Sequence, residues 1–312
     1  MIEILSFMTE PNPTREHYTF WRDGICKALC EKLGEIICLE KGVKTAVDYE
    51  IIPWGGGQFK VESKYHDIAF VPYSWHPDKR PADFIFTFAS DIEGYEEQMI
   101  NWQDHVKPNL IGCLQDMPGW LGKWGKENGC KVIKLPWFVY KDIEYNEERD
   151  IVAFCSGAIG NTYPMRTKIY HELNQLKNIN TEFLEGDIIL SCGDFGKYPL
   201  STGEYNETLK KSRYYCSGGI KDRMIPPKYF EAMNAGCCLI TPSLDWFKEL
   251  GFVDCRTHIE IKNPDEIKSL IQSSHWYEIG REGKKFVEKN HTVTNRAKRI
   301  LEIYNEYVGR KS

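Results

Sequence analysis

The chain has no run of about 18 or more apolar residues, the length a helix needs to cross a bilayer, so no membrane span is expected. Its opening, MIEILSFMTEPNP, has no basic stretch ahead of an apolar one and meets Glu10 and prolines early. That is unlike a secretory leader, and the expected address is the cytoplasm. It also lacks a basic half. Net charge is −5, with 16 Lys+Arg against 20 Asp+Glu over residues 1–141 and 24 against 25 over residues 142–312. Nucleic-acid affinity rests mainly on neutralising phosphates, so an even, mildly acidic chain argues against non-specific DNA or RNA binding, although a local basic groove stays open. A disulfide framework is not indicated either, because the 11 cysteines are odd in number and scattered. The adjacent Cys237 and Cys238 sit inside an apolar run, which suits reduced thiols acting as small hydrophobes. Cys26 and Cys30 lie one helical turn apart, but no partner pair follows at zinc-site spacing, so no structural metal is expected.

What is there is an ordinary globular composition, 42% hydrophobic and 27% charged, over 312 residues. That length is long for one core and comfortable for two domains. Short apolar runs alternate with helical patterns in both halves. In the first, Ile2–Phe7, Ile36–Leu39, Tyr49–Ile52, Asp67–Val71, Asp83–Phe88, Asn109–Leu114 and Lys131–Lys134 read as strands, and Tyr18–Leu33 as a helix. Trp54-Gly55-Gly56-Gly57 reads as a turn or loop. The polar segment Val139–Arg149 reads as an interdomain linker. The pattern then restarts. Ile151–Cys155, Ile188–Cys192 and Arg213–Cys216 are strands, Ser156–Asn161 is a glycine-bearing loop, and Pro164–Leu176, Asn263–Gln272, Ser274–Lys289 and Thr292–Val308 are helices. This alternation predicts an α/β protein of two doubly wound, Rossmann-like parallel-sheet domains, residues 1–141 and 142–312, with a ligand cleft between them and a last helix that could cross back.

One stretch stands out: SRYYCSGGIKDRMIPPKYFEAMNAGCCLITP, from Ser212 to Pro242. It reads as a strand, a glycine-bearing loop, a short helix opened by Pro226-Pro227 and a buried strand over Cys237–Thr241. Proline suits a first helical turn, and Gly236 is placed to end the helix in a left-handed cap. On a 3.6-residue period Lys228, Glu231, Ala232 and Ala235 share one face, while Tyr229, Phe230 and Met233 form the apolar one. The helix tip falls at the carboxyl edge of the sheet, where its free N–H groups and partial positive charge suit a phosphate. Arg223 and Lys228 add full charge, and Glu231 could accept hydrogen bonds from the paired hydroxyls of a ribose. The competing reading is plain core architecture with a solvated Lys and Glu.

The order YNETLKKSRYYCSGGI (Tyr205–Ile220), PPKYFEAMNAGCCLITP (Pro226–Pro242) and HTVTNRAKRILEIY (His291–Tyr304) resembles the carboxyl-terminal half of GT-B glycosyltransferases of the CgeB-like and group-1 types, with a fainter likeness to exostosin-type enzymes. GCLQDMPGW (Gly112–Trp120) looks like the D-x-P segment of CgeB-like amino domains. The resemblance implies a GT-B fold, with a carboxyl-terminal domain that binds a nucleotide-sugar, and Glu231 as the residue holding the ribose. It departs from many retaining members at one place: Arg223 stands eight positions before Glu231, where they carry a second glutamate. An inverting outcome or a different donor geometry is then in play.

Glycosyl transfer leaves a diphosphate that must be neutralised by positive charge or a metal. No two aspartates are separated by a single residue, so the D-x-D metal motif of an alternative fold for this chemistry is missing, and neither a metal nor another cofactor is expected beyond a UDP- or GDP-sugar donor. Arg223, Lys228 and Arg166 are the candidate cations. Ser156, Gly157 and Gly160, with Gly219 in the second loop, could bring backbone N–H groups to the phosphates. Against these stand the readings of Arg166 as a helix surface residue and of Arg223 as a salt-bridge partner of Asp222. An inverting reaction needs a base, and Asp91 and Asp116, each just past an expected strand, are the candidates; a helix N-cap or turn is the alternative for both. Glu10, His17 and His105 are weaker. Trp54, Tyr73, Trp75, Trp120 and Trp124 could stack on a sugar or base or fill the core, and His291 should pack at the terminal helix. The acceptor could be a glycan, lipid, protein or small molecule, or a modified DNA base as in phage-type enzymes. A non-catalytic nucleotide-sugar-binding protein and a nucleotide-sugar epimerase share the same fold.

Overall fold

A computed structural model of the chain describes residues 4–6, 29–36, 58–59, 66–71, 76–77, 80–89, 96–114, 119–139, 142–179, 184–194, 200–219 and 225–310. Two compact units emerge: Met1–Pro136 with Val293–Ser312, and Trp137–Thr292.

The first unit holds a five-stranded sheet in the order β1-β3-β5-β6-β7, formed by Ile4–Ser6, His66–Phe70, Ala82–Ala89, Leu110–Cys113 and Lys131–Lys134. Every pairing in it is parallel. A separate two-stranded pair joins β2 (Gln58–Phe59) to β4 (His76–Pro77). Its described helices are α1 (29–36), α2 (Glu96–Val106), α3 (Gly119–Glu127) and α10 (Val293–Gly309). Alternation decides the two faces of β5. Ile85 packs with Trp102 and Val106 of α2, while Phe84 on the opposite face meets Tyr304 of α10 edge-on at 5.5 Å. Ile36 lies in helix α1, so its expected place in a strand is corrected, in keeping with the helical period carried by Leu29, Leu33 and Ile36; the rest of that expected strand lies outside the described residues. The Tyr49–Ile52 strand and the glycine run at 55–57 lie outside the described residues.

In the second unit the sheet order is β12-β11-β10-β8-β9, from Ile259–Ile261, Cys238–Pro242, Ser212–Cys216, Ile151–Ala158 and Asp187–Gly193, again all parallel. Both faces are covered. Tyr229, Phe230, Ala232 and Met233 of α6 (Pro227–Asn234) pack on one side with Phe154 and Leu239. Ile169, Leu173 and Leu176 of α4 (Pro164–Asn178) pack on the other with Ala153, Cys155 and Tyr214. Strands buried on both faces read as continuous apolar runs, which is how β8 and β11 appear in the sequence. The remaining helices are α5 (Thr202–Lys211), α7 (Trp246–Leu250), α8 (Glu266–Ile271) and α9 (Trp276–Asn290). A capping box between Ser201 and Glu204 opens α5.

Gly236 takes φ 79° just past α6, the left-handed cap expected of it, and a Cβ there would lie 2.5 Å from the Tyr145 ring. Residues 142–150 contain no helix or strand, yet Arg149 is buried and donates to Ala235 O at 2.5 Å and to Asn146 O at 2.9 Å, tying this segment to the sheet unit. Ser156, Gly157 and Ala158 continue β8 rather than forming the expected loop, because each pairs with β9 (Ser191, Cys192 and Gly193).

Candidate functional site

The second sheet turns back on itself at β8. The chain goes from β8 to its neighbour β9 on one side and then crosses to β10 on the other. Such a reversal opens a crevice at the carboxyl ends of the strands, because the flanking connections leave in opposite directions. β8 ends at Ala158 and β10 at Cys216, and α4 and α6 start nearby in sequence.

Arg166, in the first turn of α4, is only 3% exposed. Its guanidinium donates through Nε to Ser217 Oγ at 3.1 Å, through Nη1 to Ala158 O at 3.0 Å and through Nη2 to Gly218 O at 2.7 Å. It thereby ties the end of β8 to the loop after β10, and it lies over the Tyr163 ring at 4.4 Å. Among the described residues no carboxylate pairs with it. The reading of Arg166 as a helix surface residue is therefore corrected: α4 runs along the sheet and its first turn points this side chain into the crevice.

Lys228, on the first turn of α6, reaches the same spot. A Cβ added to Gly157 would fall 2.7 Å from Lys228 Nζ and 3.0 Å from Arg166 Nη1. Gly157 itself has φ 114°, a backbone state that side-chain-bearing residues rarely adopt. Glycine thus does two things here: it turns the end of β8 and leaves room for two cations against its α-carbon. Both cations also act on Cys192. Its thiol is pulled below the usual range first by a hydrogen bond with Cys155, 3.5 Å away, and then by Arg166 and Lys228. Ser156 points to the opposite face, sharing a hydrogen bond of 2.9 Å with Tyr215 OH.

Glu231, one turn beyond Lys228, is 8% exposed, so the expected solvated face of α6 is corrected too. Its Oε2 accepts from Tyr205 OH at 3.0 Å, and Lys228 Nζ lies 5.8 Å from the centre of the same tyrosine ring. Burial raises the Glu231 carboxyl to about 8, opposed by the Tyr205 hydrogen bond and by Lys228. Burial likewise lowers Lys228 to about 8; Arg166 pushes the same way, and Glu231 opposes it. Both groups sit poised near neutrality, which is common where a site must accept charge from a ligand.

The structure therefore gathers Ser156, Gly157, Arg166, Lys228 and Glu231 at one sheet edge, and Gly219 is buried beyond Gly218 in the loop after β10. Gly160 lies in the turn before α4, where its N–H donates to Thr167 Oγ1 at 2.8 Å; that N–H is taken by a side chain. Arg223, Asp91 and Asp116 lie outside the described residues, as do Glu10, His17, Trp54, Tyr73 and Trp75. His105 is exposed at the end of α2, and Trp124 is buried with its indole N–H donating to Asp104 at 3.0 Å. His291 packs among Phe230, Phe252 and Phe286, consistent with a structural role at the start of the terminal helix. Sequence reasoning missed Tyr205 and Ser217. Tyr205 lay inside a quoted motif, but nothing in its spacing ties it to Glu231, 26 residues on. Among the described residues there is no group of three or more His, Cys, Asp or Glu placed to hold a metal, and no helix long and apolar enough to cross a membrane.

Residues 177–302 match the family model described as "Glycosyl transferase-like", which spans α5 to α9 and most of α10. No curated protein matches the chain. Among solved structures, Anabaena HepE in complex with UDP and glucose aligns with a TM-score of 0.56 at 9% identity, covering 98% of this chain and 100% of its own. Sucrose-phosphate synthase from Thermosynechococcus elongatus aligns with a TM-score of 0.51 at 8% identity, covering 99% and 89%. TarM, a protein of S. aureus, gives a TM-score of 0.54 at 11% identity over 76% of this chain. The chain spans 54% of the length of TarM and 57% of that of the matched GtfA/B chain. The fold is GT-B, and residues 177–302 are similar in sequence to the glycosyl transferase-like family model.

Proposed function

We propose that this protein is a glycosyltransferase that moves a sugar from a UDP- or GDP-linked donor to an acceptor hydroxyl without a metal cofactor. The observation that carries the reading is the buried Arg166 guanidinium, which no carboxylate among the described residues neutralises, set against Gly157 beside Lys228. Burying a cation without a counter-ion is costly, and an incoming diphosphate supplies the missing negative charge. Its oxygens would accept from Lys228 and from the guanidinium, with Arg223 as a further donor. Glu231 would take the ribose hydroxyls, since Oε2 is engaged by Tyr205 and the second oxygen accepts no hydrogen bond from a described residue.

In the reaction the bond from the anomeric carbon to the diphosphate oxygen breaks and the nucleotide leaves with the electron pair. The two cations offset charge that develops only as that bond lengthens, so they favour the transition state over the bound donor. The acceptor oxygen forms the new bond and its proton passes to a base. Arg223 at the position of the second glutamate favours inversion, and Asp91 and Asp116, just past β5 and β6 in the chain, are assigned as candidate bases. The site is proposed to work in the cytoplasm.

Replacing Glu231 with Ala tests the donor seat. Each lost hydrogen bond to a charged group is worth about 1.5–3 kcal/mol, so UDP or GDP affinity should fall at least tenfold while the melting transition without ligand is retained. Equal stabilisation by UDP and GDP in wild type and variant would overturn the assignment. Slow release of free sugar from a panel of nucleotide sugars separates a transferase from a pure binder, and a changed sugar still linked to nucleotide would indicate an epimerase.

A further inference from the structure

Tyr205 stands on α5, away from the strand–helix motif that holds Lys228 and Glu231, and nothing above gives it a part in donor binding. Yet it touches both. Its hydroxyl donates to Glu231 Oε2 at 3.0 Å, and its ring faces Lys228 Nζ at 5.8 Å. The ring packs against Phe154 of β8, with centroids 5.7 Å apart, and it belongs to the same buried cluster as Leu209, Tyr229 and Phe230. A rigid, packed aromatic with one polar atom aimed at a buried carboxylate restricts that carboxylate to one orientation.

We propose that Tyr205 is a positioning residue for donor recognition: it occupies one oxygen of Glu231 and so turns the other towards the nucleotide's ribose. This rests on the donor-site reading above and deepens it. Without the Tyr205 hydroxyl, Glu231 retains its place on α6 but loses the donor that selects its rotamer. It also loses the hydrogen bond that favours its ionised form. The titratable and charged groups that face Glu231 are Tyr205 itself and Lys228.

The test is UDP and GDP binding by calorimetry to wild type, Tyr205→Phe, Glu231→Gln and the double variant, each across pH 5 to 9. Phenylalanine keeps the ring against Phe154 and removes only the hydroxyl. The expected result for Tyr205→Phe is a loss of affinity of about tenfold with a near-normal melting transition. The acid limb of its binding profile should also move to higher pH, since the carboxyl protonates more readily. A purely structural tyrosine would lower the melting transition and leave both the dissociation constant and the pH limb in place, and that outcome overturns the proposal. Should Tyr205→Phe also destabilise the fold, the double variant decides. A positioning role requires the double variant to bind no worse than Glu231→Gln alone, whereas additive losses overturn it. If wild type and Glu231→Gln bind either nucleotide equally, the donor-site reading fails as well; if only Tyr205→Phe is without effect, that reading stands and this proposal alone falls.

Discussion

The two sheets of this protein are built alike and end differently. Both are five-stranded and wholly parallel. In the first, the described strands follow chain order from β1 to β7 without a reversal; in the second, the order reverses around β8. Among the described residues, only the reversing sheet brings a buried arginine and a half-buried lysine together at its carboxyl edge. In the first sheet, backbone bonds carry the pairing one residue past β6 and β7, Leu114 N to Ala89 O at 3.0 Å and Leu135 N to Cys113 O at 2.8 Å. The lesson is topological. Where neighbouring connections leave in opposite directions, the end of a strand has no covering loop, and polar groups can converge there on a ligand.

The proposed function takes the donor at the second sheet and a base from Asp91 or Asp116, and the largest expected effect tests that division. Asp91→Asn or Asp116→Asn should lower kcat by about 10²–10⁴ with the UDP dissociation constant unchanged, as steady-state kinetics and calorimetry would show, because a general base acts on the chemical step alone. If neither variant loses turnover, the base lies elsewhere and the division breaks.

Next in size is Arg166→Ala. It leaves Ser217 Oγ, Ala158 O and Gly218 O without their donor. Each buried acceptor left unmet costs about 1–3 kcal/mol, so chemical denaturation should show a loss of several kcal/mol together with weakened UDP binding. A variant that loses stability but binds UDP normally would make Arg166 a strut rather than a phosphate ligand.

The smallest effect concerns pH. Glu231 is raised to about 8 in the folded chain, from 4.5. The native state therefore holds a proton there that the unfolded chain has shed, and this contribution to stability is full below about pH 4.5 and lost as pH rises through 8. Lys228 is lowered from 10.5 to about 8, so the unfolded chain binds the extra proton between those values and stability rises with pH across that window. The ligand-free protein should then be least stable near pH 8. Glu231→Gln should flatten the descending limb in a series of thermal melts; an unchanged curve would mean that Glu231 titrates normally.

How much of this was legible in advance varied with the range of the forces involved. Apolar runs at Asp83–Phe88, Asn109–Leu114 and Ile151–Cys155 announced their strands because a strand buried on both faces has no polar alternation to obscure it. The proline opening and the Gly236 cap of α6 were equally clear, since both act within a single turn. Burial of Glu231 was not legible: on a helical wheel it sits with Lys228 on the polar face, and Tyr205, from a different helix, touches both. Arg166 was harder still, because a basic residue near a helix start looks the same whether it points outward or into the sheet.

The sequence by itself determined most of the described helices and strands, the alternation that makes two parallel-sheet units, and the residue types on which the proposed donor site rests. These follow from local geometry and hydrophobic period. Only the tertiary structure decided that β8 continues through Gly157, that Arg166 is buried with no acidic partner among the described residues, and that Tyr205 answers Glu231 across 26 residues. Desolvation and hydrogen-bond geometry depend on neighbours distant in the chain, and strand order, which no local pattern encodes, is what made them neighbours.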